Sequence, residues 1–146
     1  MSIINGMNVS ASGMTAQRLR MDIISQNIAN VNTTRDENGE AYRRKTVVFA
    51  EKGTDSFAGV LNSKTGARVG NGVKVTEITE DTKTPLNLVY DPSHPDADED
   101  GYVAYPNINT VTEMTNLIDA SRAYEANITA FNATKNMALK GLEVGK

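Results

Sequence analysis

The chain has no cysteine and, in 146 residues, one histidine, His94. The first absence excludes disulfides, thiolate nucleophiles and cysteine-based zinc sites, and the second excludes multi-histidine metal sites. Long apolar runs are missing as well. No stretch approaches the roughly 18 residues that a membrane span requires, and no apolar segment behind a basic start opens the chain as a secretory signal would. The expectation is a chain with no direct membrane insertion and no cleavable signal of the general secretory type. Basic runs are scarce too: YRRKT, residues 42 to 46, is the one cluster. With a net charge of -3, an electrostatic footprint for nucleic acid is lacking. No nucleophile, metal set or phosphate-binding glycine loop can be assembled, so catalytic residues, cofactors, metals and a small-molecule substrate are all expected to be none.

The charge that is present is unevenly placed. Residues 1 to 34 carry three charged side chains (Arg18, Arg20, Asp22) and residues 107 to 146 carry eight, whereas the middle holds nine basic and thirteen acidic ones. The middle reads as facing water and the two ends as sheltered. At the first end, Met7, Met14, Met21 and Ile28 fall seven apart, with Ile3, Ile24 and Val31 three residues further along the same repeat. That spacing is the seam of a helix that pairs with other helices. Ser2 is placed to cap its start, and NVNTT at 30 to 34 ends it, because short polar side chains compete with helical backbone bonds.

The last segment opens with Pro106 and then Thr110-Val-Thr-Glu113, which reads as a capping box leading a helix to about residue 143. Met114, Leu117, Tyr124, Ile128, Phe131, Ala138 and Leu142 trace its seam. Gly6 and Gly13 each cost about 1 kcal/mol relative to Ala inside a helix, so the first helix must be held by packing. Gly6, Ser10 and Gly13 also form a smooth strip beside the methionines, where another backbone can come close. Two long helices cover only one face of each other, and other subunits are the expected cover for the rest.

Between the helices the period changes. AYRRKTVVF (41 to 49), VKVTEIT (73 to 79), PLNLVY (85 to 90) and YVAY (102 to 105) read as short strands separated by glycine-rich loops, with 50 to 71 as one long flexible loop. The fold class is therefore α+β: long N- and C-terminal helices paired as a coiled-coil-like inner domain (1-34 and 107-146), and a small β-rich outer segment (35-106).

Several motifs compete for attention in the middle. In PDADEDGYV, residues 95 to 103, Asp96, Asp98 and Asp100 precede Gly101 as in the first half of an EF-hand loop. The twelfth position is Asn107, where a bidentate carboxylate is required, and Asp91-Pro92 with His94-Pro95 forbids a regular incoming helix. An acidic solvated turn at the tip of a β segment fits better. The sequons at Asn8, Asn32, Asn127 and Asn132 fall mostly in helices and read as chance matches. Ser93 beside His94 does not make a catalytic pair, and Asp36-Glu37 and Glu80-Asp81 read as solvated loops.

SGMTAQRLRMDIISQNIANVNTT, residues 12 to 34, resembles the amino-terminal signature of the bacterial flagellar axial family of rod and hook proteins, through Ser25, Asn27, Ala29, Asn30, Asn32 and Thr33. YRRKTVVF and the block from LVYDPSHPD to GLEVG resemble the short members that build the proximal rod, and the match leaves out only residues 50 to 71. The resemblance implies a non-enzymatic structural subunit whose terminal helices line a hollow axial shaft that transmits torque and supports export. It sets Met7, Gly13, Met14, Met21, Ile24 and Ile28 against Met114, Leu117, Tyr124, Ile128, Phe131 and Leu142 as helix-packing and subunit-interface residues. The implied partners are the chain itself, other rod proteins and neighbouring export and ring components of the basal body. The implied location is the periplasmic space, reached unfolded through the flagellum's own export apparatus. Another short rod subunit of the same family is the alternative; a calcium-dependent binding module is a distant one.

Overall fold

The structure is a computed structural model that describes residues 3 to 36, 39 to 53 and 71 to 144. Ser2 and most of the expected loop, residues 54 to 70, lie outside them. The element order is α1 (Ile3–Ala29), β1 (Lys45–Glu51), β2 (Val73–Glu80), β3 (Asn87–Tyr90), β4 (Tyr102–Tyr105) and α2 (Thr110–Val144). The architecture is the expected α+β, with the two long helices packed together and two small sheets between them in sequence. At 1.5 Å per residue, the 27 residues of α1 and 35 of α2 extend about 40 Å and 52 Å. Contacts divide the chain into two compact units: residues 1–19, 48–77 and 120–146, and residues 20–47 and 78–119.

In the first unit, helix contact runs along the small-residue strip. Gly6 lies beside Thr134, where a Cβ would stand 3.6 Å from its methyl group. At Gly13 the space is taken: a Cβ there would come within 2.7 Å of Asn127 Oδ1. Asn127 holds its position by donating to the Ala123 carbonyl at 2.8 Å. Ser10 and Ala16 are buried, while Met7 and Met14 are only half-buried. The physical reason is size, because a glycine lets a neighbouring side chain reach the helix backbone and a methionine does not. Ser12 ties the same helix to β2, its hydroxyl donating to Val9 O at 2.7 Å and accepting the Val73 N–H at 3.0 Å.

The second unit holds the C-terminal end of α1 and the N-terminal end of α2. The expected Asn cluster does terminate α1, and Asn30 does most of it. Its N–H and Nδ2 both donate to the Gln26 carbonyl, at 3.0 and 2.9 Å, and its own carbonyl and Oδ1 accept from the Thr33 N–H and Oγ1, each at 3.1 Å. The start of α2 differs from expectation. Asn109, not Thr110, caps it, with Oδ1 accepting the Thr112 N–H at 3.1 Å. The Glu113 carboxylate has turned inward, away from the capping box, because charge-assisted partners in the interior outcompete a solvent-exposed amide.

Both sheets have two strands. In β1 with β2, the Thr46 and Thr79 hydroxyls meet at 2.9 Å in the second unit, and Lys52 N–H donates to Gly72 O at 2.8 Å in the first. β3 and β4 pair antiparallel, with Asn87 opposite Tyr105 and Tyr90 opposite Tyr102. The tyrosine pair packs edge to face at 5.3 Å. Gly101 closes this hairpin with φ +82° and sits 3.0 Å, by its missing Cβ, from the Tyr90 ring.

Two glycine substitutions are expected to part company. Gly6→Ala should raise stability by about 0.5 to 1 kcal/mol, since the added methyl group fits. Gly13→Val should lower it by about 1 to 3 kcal/mol through overpacking against Asn127. Urea midpoints measure both, and a neutral Gly13→Val would remove this contact from the fold.

Candidate functional site

The most buried polar groups of the second unit converge on one junction. Asn27 is fully buried and Glu113 is 1% exposed, yet both are side chains that ordinarily seek water. Asn27 uses its carboxamide as a peptide would. Its Nδ2 donates to the Lys45 carbonyl at 2.8 Å while its Oδ1 accepts the Lys45 N–H at 2.9 Å, so α1 pairs with the first residue of β1 as if it were a strand. The second Nδ2 hydrogen goes to Glu113 Oε2 at 3.0 Å, and Tyr42 Oη donates to Oδ1 at 3.2 Å. Every donor and acceptor of this amide is then engaged.

Glu113 is held from three sides. Arg44 forks onto Oε1 through Nε at 2.9 Å and Nη2 at 2.8 Å, and Asn116 Nδ2 reaches the same oxygen at 3.3 Å. A buried carboxylate persists only with partners of this kind. Asn107, just before α2, does for Arg44 what Asn27 does for Lys45: its Oδ1 accepts the Arg44 N–H at 2.9 Å, and its Nδ2 donates to the carbonyls of Asp81 and Thr84 at 3.0 and 3.1 Å. Two asparagines thus attach Lys45, the first residue of β1, and Arg44 just before it to the two helix ends. Burial pushes the Tyr42 phenol above the usual tyrosine range, and the carboxylates of Glu80 and Glu113 add to the shift.

The acidic segment does separate work. Asp98 Oδ1 accepts the N–H groups of Asp100 and Tyr102 at 3.0 and 2.7 Å, an Asx turn that starts β4. Asp96 accepts from Thr34 Oγ1 at 2.8 Å and faces Arg35 at 3.5 Å. Asp91 is held below the usual carboxylate range by the Ser93 hydroxyl and N–H. Among the described residues, no three His, Cys, Asp or Glu side chains are grouped to hold a metal ion. His94 Nδ1 accepts the Asp96 N–H at 3.1 Å and is a turn residue.

The residues expected from sequence fall in both units and differ in burial. Ile24 is buried; Met21 and Ile28 on α1, and Leu117, Tyr124, Ile128, Phe131 and Ala138 on α2, are half-buried. Met114 and Leu142 are exposed, at 54% and 73%. Of the signature residues, Asn27 is buried in the junction, Asn30 and Thr33 close α1, and Ser25, Ala29 and Asn32 face outward. Glu113, Arg44, Tyr42 and Asn107 were not among the expected residues. The available signal was faint: Glu113 stands one residue before Met114, in phase with Ala120, Asn127 and Thr134.

The long helices pack together, and the buried polar groups of the junction bond one another and the backbone at the start of β1. Two family models match: the one described as flagella basal body rod protein over residues 7–35, and the one described as flagellar basal body rod FlgEFG protein C-terminal over residues 99–144. Among curated proteins, the flagellar basal-body rod protein FlgC of Bacillus subtilis is 52% identical, with the whole of both chains covered. FlgC of Borreliella burgdorferi is 44% identical over 99% of this chain and 98% of its own, and FlgC of Escherichia coli O157:H7 is 38% identical over the whole of both. The chain belongs to the flagellar basal-body rod protein family, among its FlgC members, and is a structural rod subunit.

Asn27→Ala is expected to cost about 2 to 4 kcal/mol, since it orphans the Lys45 peptide groups and one donor to Glu113. N27D replaces that donor with a second carboxylate beside Glu113, so it should be more destabilising at neutral pH and recover as the pH falls and one of the pair takes a proton. Denaturation midpoints across pH measure both. Equal loss at all pH values would place Glu113 out of reach of position 27.

Proposed function

We propose that the chain is a subunit of the proximal rod that stacks head to tail with copies of itself and with other rod proteins. In this reading it forms part of a hollow shaft in the periplasmic space, next to export and ring components of the basal body. The shaft carries torque. The subunit arrives as an unfolded chain, and residues 1 to 34 and 107 to 146 line the axis while 35 to 106 lie outside.

The observation that most supports this reading is the apolar surface left on the helices. Ile3 and Ile4 on α1, and Val111, Met114, Ile118, Met137, Leu139 and Leu142 on α2, are all at least 45% exposed. Single exposed apolar residues are ordinary, but clusters of them at the start of α1 and at both ends of α2 in a rod protein ask for neighbours. Contacts between unlike faces extend rather than close, which is what a shaft requires. Torque then passes through many interlocked apolar contacts, and Met7, Met14, Ile128 and Phe131 serve the packing of each subunit. The exposed helix residues 3, 4 and 137 to 142 are steadied by those neighbours, whereas the junction around Asn27 is held within the chain.

Leu142→Glu should leave the stability of the free chain within about 0.5 kcal/mol and yet stop rod assembly. Ile128→Ala should cost about 2 to 5 kcal/mol of packing once the assembly buries it fully. Complementation of a deletion strain, with imaging of basal bodies, reads both. Normal swimming by cells carrying Leu142→Glu would rule out that surface as an interface. Amide exchange of the free chain should be slowest around Asn27 and Lys45 and fastest at residues 3 to 8 and 137 to 143.

A further inference from the structure

The apolar pattern of these helices does not choose between registers. Met7, Met14 and Met21 repeat every seven residues, as do Gly6 and Gly13, so a slip of α2 by seven residues brings what faced Met21 to Met14 and what faced Gly13 to Gly6, at the loss of one heptad of overlap. Methionine side chains adapt readily to such exchanges, and small residues present no knob that must find one hole. Something else has to exclude the slipped pairing.

We infer that the buried Asn27–Glu113–Arg44 cluster is a register lock, which selects one alignment of α1 and α2 over the alignment one heptad away. The cluster is suited to this because its groups are buried and directional. A slip takes Glu113 away from Asn27 Nδ2 and from the Arg44 fork together, and takes Asn107 away from the Arg44 N–H. Each lost bond leaves a sheltered polar group without a partner, whereas apolar contacts are merely exchanged. The competing alignment is specific. It sets Glu113 opposite Arg20, seven residues before Asn27, which offers the carboxylate a charge but offers nothing to Asn27 or to Arg44. A buried polar group that fixes helix register while contributing little net stability is a known use of such groups. The lock stands independently of which rod neighbours the subunit meets.

The test separates specificity from stability. In E113L/R44L the pair is replaced by apolar side chains of similar bulk. The urea midpoint of the full-length chain should hold or rise, while amide NMR signals from residues 20 to 47 and 78 to 119 split into two sets, one with residue 113 close to residue 20. A single native set in E113L/R44L, with residue 113 still beside residue 27, overturns the proposal. Should that variant not fold, R44L decides: a new proximity of residues 113 and 20 supports the lock, and unchanged native proximities refute it.

Discussion

The carboxamide of Asn27 takes the place of a peptide group, and the second unit is organised around that substitution. A helix has no free backbone groups along its length, so it cannot pair with a strand through its own N–H and C=O. An asparagine supplies both in the right spacing. By meeting the N–H and C=O of Lys45, Asn27 gives the start of β1 a partner that no neighbouring strand provides, and its remaining hydrogen fastens α2 through Glu113. Arg44 and Asn107 complete the arrangement from the other side. Helix, strand and helix therefore meet through directional bonds, where an apolar contact would have allowed sliding.

This division of labour suits a rod subunit. Close helix approach in the first unit comes from glycine and short polar side chains, which bury little apolar area and leave larger residues for contacts elsewhere. Position is supplied by the polar junction. The exposed isoleucines, methionines and leucines are left uncovered by the chain itself.

The acidic segment shows how local chemistry can imitate a site. An aspartate shortly before a glycine serves both a calcium loop and an Asx turn, because each aims a carboxylate oxygen inward at a tight bend. Asp98 spends its oxygen on two backbone amides, Asp91 on Ser93 and Asp96 on Thr34. The turn pairs β3 with β4 and brings Tyr90 against Tyr102.

The α+β class, the two long helices, the four strands among the described residues and the family resemblance were legible in the sequence, because they depend on local period and motif. Even the end of α1 at NVNTT followed from the way short polar side chains capture backbone groups. Tertiary structure decided which face of each helix is innermost and what Glu113 does. A heptad pattern names a stripe to within a residue or so, and the glycine strip beside the methionines became the close contact because only there does Asn127 fit. Glu113 reads locally as half of a capping box, and nothing within four residues reveals Arg44 or Asn27. Their meeting joins residues 69 and 86 positions away in sequence, a proximity that long-range packing alone creates.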